Sequence, residues 1–165
     1  MDRERDILFV FLTSHGSKEH ELTLDLPALD MRNLRAAELG AMLKRTGIKH
    51  KVVVISACYA GGFVDFVKDD DTLVIAAARA DRQSFGCADE NDFTYFGRAY
   101  FKESMPSSTS FQDAFRKALV LVDEWEARDR KASKAPLKDE PSLPQMSNPP
   151  AIDAYLQQWR KQLSK

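Results

Sequence analysis

Ile7-Leu8-Phe9-Val10-Phe11-Leu12 runs into Thr13-Ser14-His15-Gly16, and Val52-Val53-Val54-Ile55 runs into Ser56-Ala57-Cys58-Tyr59-Ala60-Gly61-Gly62. Each is a short, continuous apolar run rich in β-branched or aromatic residues, and each stops on a reactive side chain. Runs of this kind mark strands buried on both faces, as in parallel sheets. In open α/β sheets, binding and chemistry gather beyond the carboxyl ends of such strands. A histidine after one strand and a cysteine after another are thereby expected at one sheet edge.

Outward from these runs, strands alternate with helical patterns. Glu21–Leu26 alternates polar and apolar like a half-exposed strand, and Pro27 ends it. From Asn33 to Thr46 the apolar residues Leu34, Ala37, Leu39, Met42 and Leu43 share one helical side, and Gly47 stands where a C-cap glycine belongs. Phe63–Val67 reads as a short helix and Thr72–Ala78 as a third buried strand. The polar segment 79–92 reads as a loop. Phe93–Glu103 follows as a helix with an aromatic core face of Phe93, Phe96, Tyr100 and Phe101. A long helix is expected over 111–130, with Phe111, Phe115, Leu119, Val122 and Trp125 buried. Residues 131–150 hold five of the seven prolines and read as an extended linker to a final amphipathic helix, 152–163. The expected organisation is a domain over 1–130, a proline-rich linker over 131–150 and a C-terminal helix over 151–165. Alternation of strands and helices argues for an α/β fold with a parallel sheet.

The 165 residues suffice for one domain with a core, and 30% charged against 44% hydrophobic residues fits a soluble globular chain. A formal net charge of -1 gives no long-range attraction to nucleic acid or to an anionic membrane. No apolar stretch approaches the roughly 18 residues of a membrane span. The charged start Met1–Asp6 does not read as a signal peptide, and a working thiol tilts the expected location towards a reducing cytoplasm. Neither a CxxC nor an HExxH spacing occurs, so no metal and no cofactor is expected.

The chemistry sits at the two strand ends. Thiolate is the attacking form of cysteine, and Cys58 precedes small residues and a short helix whose dipole would favour it. The glycines after it leave room for a substrate backbone and free N–H groups for a developing oxyanion. Taken alone, Cys58 also fits a buried small hydrophobe. His15 changes that balance, because an imidazole can take the thiol proton and return it to a leaving amine. His20 and His50 read as surface residues, Cys87 as a bystander thiol, and Asp89-Glu90 with Asp92 as a solvated loop.

Ser14-His15-Gly16 and Ser56-Ala57-Cys58-Tyr59-Ala60-Gly61-Gly62 resemble the legumain-type cysteine peptidases, the asparaginyl endopeptidase family of the caspase-like fold. Ala78–Cys87 and Asn91–Gly97 are similar to the family's next segment, and the resemblance covers roughly residues 7–125, closest to bacterial members. It implies a three-layer α/β/α fold. It implies His15 as general base and acid, Cys58 as nucleophile, and the N–H groups of Gly16 and Cys58 as oxyanion hole. It places Ser84 along the substrate cleft.

Ser56 and Arg98 fall where legumain carries acidic residues of its specificity pocket, so asparagine specificity is not expected. Arg98 fits either an acidic substrate side chain or an exposed position without a pocket role. Family domains begin with a further strand and helices, whereas here the His-Gly strand starts at residue 7. The expectation is a fragment or a trimmed domain, with its first strand on an open edge. The implied activity is hydrolysis of a peptide or protein substrate through a thioester acyl-enzyme. A non-catalytic peptide- or protein-binding module and a transpeptidase with the same dyad are the alternatives.

Overall fold

The computed structural model describes residues 1–25, 31–86, 92–132 and 140–163. At its centre is β4 (His50–Ser56), whose seven residues are all buried. It pairs in parallel with β1 (Ile7–Thr13) on one side and with β5 (Thr72–Ala76) on the other. A further strand, β6 (Gln145–Ser147), adds antiparallel to β5, giving the order β1-β4-β5-β6. Val52, Val53, Val54 and Ile55 are all 0% exposed. Each contributes about 1.5–3 kcal/mol of burial, which is why this run forms the middle of the sheet.

Side chains alternate across β4 and so feed two cores. Val52 and Val54, with Leu73 and Ile75 of β5, pack under α3 (Tyr95–Gly97), its π-helical continuation Arg98–Ser104, α4 (Phe111–Ala132) and α5 (Pro150–Leu163). Val53 and Ile55 pack with α1 (Ala36–Arg45) and α2 (Val64–Val67) on the other face. The result is three layers, helices over a mostly parallel sheet over helices, the arrangement of a caspase-like fold. No helix among the described residues is long and apolar enough to cross a membrane.

Several elements differ from the pattern in the sequence. The alternating stretch after residue 20 yields only a two-residue strand, β2 (Glu21–Leu22), paired with β3 (Leu34–Arg35); Leu26 and Pro27 lie outside the described residues. The aromatic helix begins at Tyr95, leaving Phe93 48% exposed, while Phe96 and Tyr100 stack 5.6 Å apart in the core. Within the proline-rich stretch, Gln145–Ser147 pairs with β5 and Ser142 is buried against α4, because Glu126 accepts both its N–H (3.0 Å) and its hydroxyl (2.5 Å). β1 lies at the sheet edge with Phe9 and Phe11 exposed, resting on Phe101 and Phe111.

Candidate active site

The register of β1 on β4 decides where the two reactive side chains stand. Thr13 is opposite Ser56, so His15 and Cys58 each lie two residues beyond the same paired level, at the carboxyl edge of the sheet. The chain after Thr13 stays against its neighbour. A Cβ built on Gly16 would lie 2.0 Å from the Cys58 carbonyl oxygen. Only glycine allows this approach. The Gly16 N–H has no hydrogen-bond partner among the described residues, while the flanking His15 carbonyl accepts from Thr23 N–H at 2.9 Å. The His15 side chain is exposed.

Cys58 enters a tight turn. Tyr59 takes a left-handed conformation (φ 57°), and a 3-10 turn, Ala60–Phe63, leads into α2. The turn is pinned from the next crossover: Tyr59 N–H donates to Arg82 O (2.7 Å) and Gly61 N–H to Ala78 O (2.8 Å). Dipolar support for the thiolate is weaker than the sequence led one to expect. α2 has only four residues, too few aligned peptides for a strong macrodipole.

The thiol finds its partners elsewhere. Ser84 is buried, and its backbone N–H donates to the Cys58 sulfur at 3.3 Å. Its carbonyl lies 3.6 Å and its hydroxyl 3.8 Å from the same sulfur. An N–H donor suits thiolate and a carbonyl acceptor suits thiol, so this one residue can hold both forms. The loop before it is braced by charge. Arg79 donates to Asp81 and pulls its carboxyl down to about 2, and Arg82 bridges Asp81 (3.0 Å) and Glu140 (2.5 Å).

Ser56 is 0% exposed, and its hydroxyl hydrogen-bonds Thr94 at 2.8 Å, so it ties the end of β4 to the start of α3. Arg98 lies farther out, donating to Glu103 at 3.1 Å with its guanidinium 5.2 Å from the Trp125 ring centroid. It lines a cleft of about 290 Å³ with Phe93, Tyr95, Trp125 and Arg128. Phe85, next to Ser84, stacks on Tyr95 and accepts its N–H at 3.0 Å, which joins the cleft to the thiol's neighbourhood.

His20 and His50 are not the surface residues their surroundings suggested. Both have a buried Nδ1 without a hydrogen-bond partner among the described residues. His20 lies beside the turn that follows Cys58, with its ring against Gly62. His50 lies at the far end of β4, stacked on Tyr155 with ring centroids 3.4 Å apart. Cys87, Asp89 and Glu90 lie outside the described residues, and Asp92 is exposed. Among the described residues, no three His, Cys, Asp or Glu side chains converge as metal ligands would.

Sequence reasoning missed Thr94, Glu126 and His20. Thr94-Tyr95 before a helical run was a legible N-cap; the contacts of His20 and Glu126 carried no local signal.

Compared with known proteins, residues 1–138 match the model of the Peptidase C13 family. No curated protein matches the chain.

Proposed function

The chain belongs to the Peptidase C13 family, the legumain-like cysteine endopeptidases whose members hydrolyse peptide bonds with a cysteine–histidine dyad; we propose that here Cys58 is the nucleophile and His15 its base. The observation that carries this reading is the parallel register of Thr13 on Ser56, from which both side chains emerge at one edge. In this mechanism His15 accepts the thiol proton, and the Cys58 sulfur attacks the scissile carbonyl carbon. The carbonyl π electrons move to oxygen, and the Gly16 N–H, which has no acceptor among the described residues, donates to that oxyanion together with the Cys58 N–H. Collapse expels the amine, which takes the proton from His15. Water, deprotonated by His15, then attacks the thioester; the thiol leaves and the carboxylate product is released.

Ser84 acts in this reading by holding the sulfur in line through its N–H. The substrate is a peptide or protein. The cleft lined by Arg98 and Arg128 takes an acidic side chain next to the scissile bond, its carboxylate exchanging for those of Glu103 and Asp129, which pair with the two guanidinium groups at 3.1 and 3.8 Å. A reduced thiol fits a reducing compartment such as the cytoplasm.

Two peptidyl acyloxymethyl ketones differing only in aspartate or asparagine at that position test both parts. Labelling of the wild type and not of Cys58→Ala is expected, with the aspartate probe faster and that preference lost in Arg98→Gln. Equal labelling of wild type and Cys58→Ala would remove Cys58 from the nucleophile's role.

A further inference from the structure

Two contacts between the loop that carries His15 and the turn that carries Cys58 have a glycine on one side. The first is Gly16 against the Cys58 carbonyl. At the second, a Cβ on Gly62 would lie 2.0 Å from Nδ1, 2.2 Å from Cγ and 2.3 Å from Cε1 of His20. All three nearest atoms belong to that one ring. Gly62 does not occupy the left-handed region. Its lack of a side chain is therefore a matter of space: the His20 ring fills the place where a Cβ would stand.

His20 is held there against two local costs. It is a non-glycine residue at φ 60°, and its Nδ1 is buried with no hydrogen-bond partner among the described residues. Tyr59, directly after Cys58, is left-handed too (φ 57°). Backbone strain of this kind persists where the surroundings over-determine it, and it collects at functional sites. The restraints are visible. His20 N–H donates to Ser17 O (3.0 Å), closing a turn that starts one residue after Gly16, and His20 O accepts from Ala36 N–H (3.1 Å) at the head of α1. On the other side, Gly62 N–H donates to Tyr59 O (3.0 Å), so a push on Gly62 is passed to the residue after the nucleophile.

We infer that His20 is a positioning residue: its ring, wedged against Gly62, sets the spacing between the loop that carries His15 and the turn that carries Cys58. It acts by shape, with no contact to the reacting atoms. The inference rests on Cys58 and His15 being the dyad.

The test is a mutant cycle of Gly62→Ala, His20→Ala and the double variant, with His20→Phe as the flat-ring control. It is read as the limiting rate and half-saturating concentration of labelling by the acyloxymethyl ketone that labels the wild type fastest. Displacement of reacting groups by about an ångström costs up to ~10²-fold, so Gly62→Ala is expected to lower the limiting rate roughly tenfold or more, with half-saturation within about twofold. Removing the ring makes room for the new methyl, so the double variant recovers to the His20→Ala rate. His20→Phe keeps the wild-type rate and pH profile. A Gly62→Ala protein that reacts like wild type, or a double variant no faster than Gly62→Ala, would overturn the inference while leaving the dyad intact. Equal labelling of wild type and Cys58→Ala would instead break the dyad and the inference with it. Should His20→Ala fail to fold, by circular dichroism, Gly62→Ala against His20→Phe decides: loss in the first and retention in the second are required.

Discussion

Each end of β4 has beside it a histidine whose buried Nδ1 makes no hydrogen bond among the described residues, and the two are used differently. At the carboxyl edge the His20 ring lies against Gly62 in the turn that carries Cys58, among exposed groups and left-handed residues. At the amino edge His50 is 5% exposed and lies flat on Tyr155, whose hydroxyl donates to Arg5 O at 2.5 Å. That stack fastens the C-terminal helix and the N-terminal segment under the sheet. One edge spends conformational strain on the placement of reactive groups, and the other spends buried surface on closing the fold. Substitutions at the first edge should therefore be felt in rate, and at the second in stability alone.

The largest effect expected is at the carboxyl edge. Gly16→Ala drives a methyl into the Cys58 carbonyl, so the labelling rate should fall by ~10²-fold or more. Retained labelling would show that the close contact is unimportant. Next comes Glu126→Ala, which removes the acceptor for two Ser142 donors and should cost about 3 kcal/mol in urea unfolding. Ser142 O accepts from Arg79 N–H (2.8 Å) at the start of the loop that holds Ser84 against the thiol. Its labelling rate should therefore fall as well, and a loss of stability without loss of rate would separate the brace from the site. Tyr155→Ala should cost about 1–2 kcal/mol through lost stacking and one hydrogen bond, with labelling at the wild-type rate. A slower rate would mean that the two edges are coupled.

The smallest effect is a pH dependence. Burial holds the His50 imidazole below its ordinary 6.5, more strongly than the nearby Asp71 carboxylate raises it. The folded chain thus binds this proton less tightly than the unfolded one. The contribution is complete above pH 6.5 and is lost as pH falls through that value towards the depressed folded pKa. His50→Phe should flatten the stability curve in that window, as measured by the urea midpoint. An unchanged curve would assign the acid-side loss to other groups.

Much of the frame was legible. A run such as Val52–Ile55 has one stable fate in a chain this size, the middle of a sheet, and the reactive residue after it must surface at the strand's end. The helix 111–132 declared itself by period. Less was legible where pairing is non-local. Gln145–Ser147 sits among prolines and polar residues, and becomes a strand because the outer edge of β5 offers unpaired backbone groups. Arg98 could be aligned to a pocket, while its pairing with Glu103 and its place over Trp125 depend on a π-helix that no local pattern announces.

The amino-acid sequence by itself determined that the apolar runs would be strands and that a histidine and a cysteine would follow two of them, since hydrophobic patterning and strand-end chemistry are local properties; that patterning did not show β1 half-exposed at the sheet edge. The tertiary structure alone decided what stands beside them. The Ser84 N–H on the sulfur, Gly16 under the Cys58 carbonyl, and His20 in the space that Gly62 leaves empty are contacts between segments far apart in the chain. Their ångström-scale fit comes from packing the layers against one another, which no single stretch encodes.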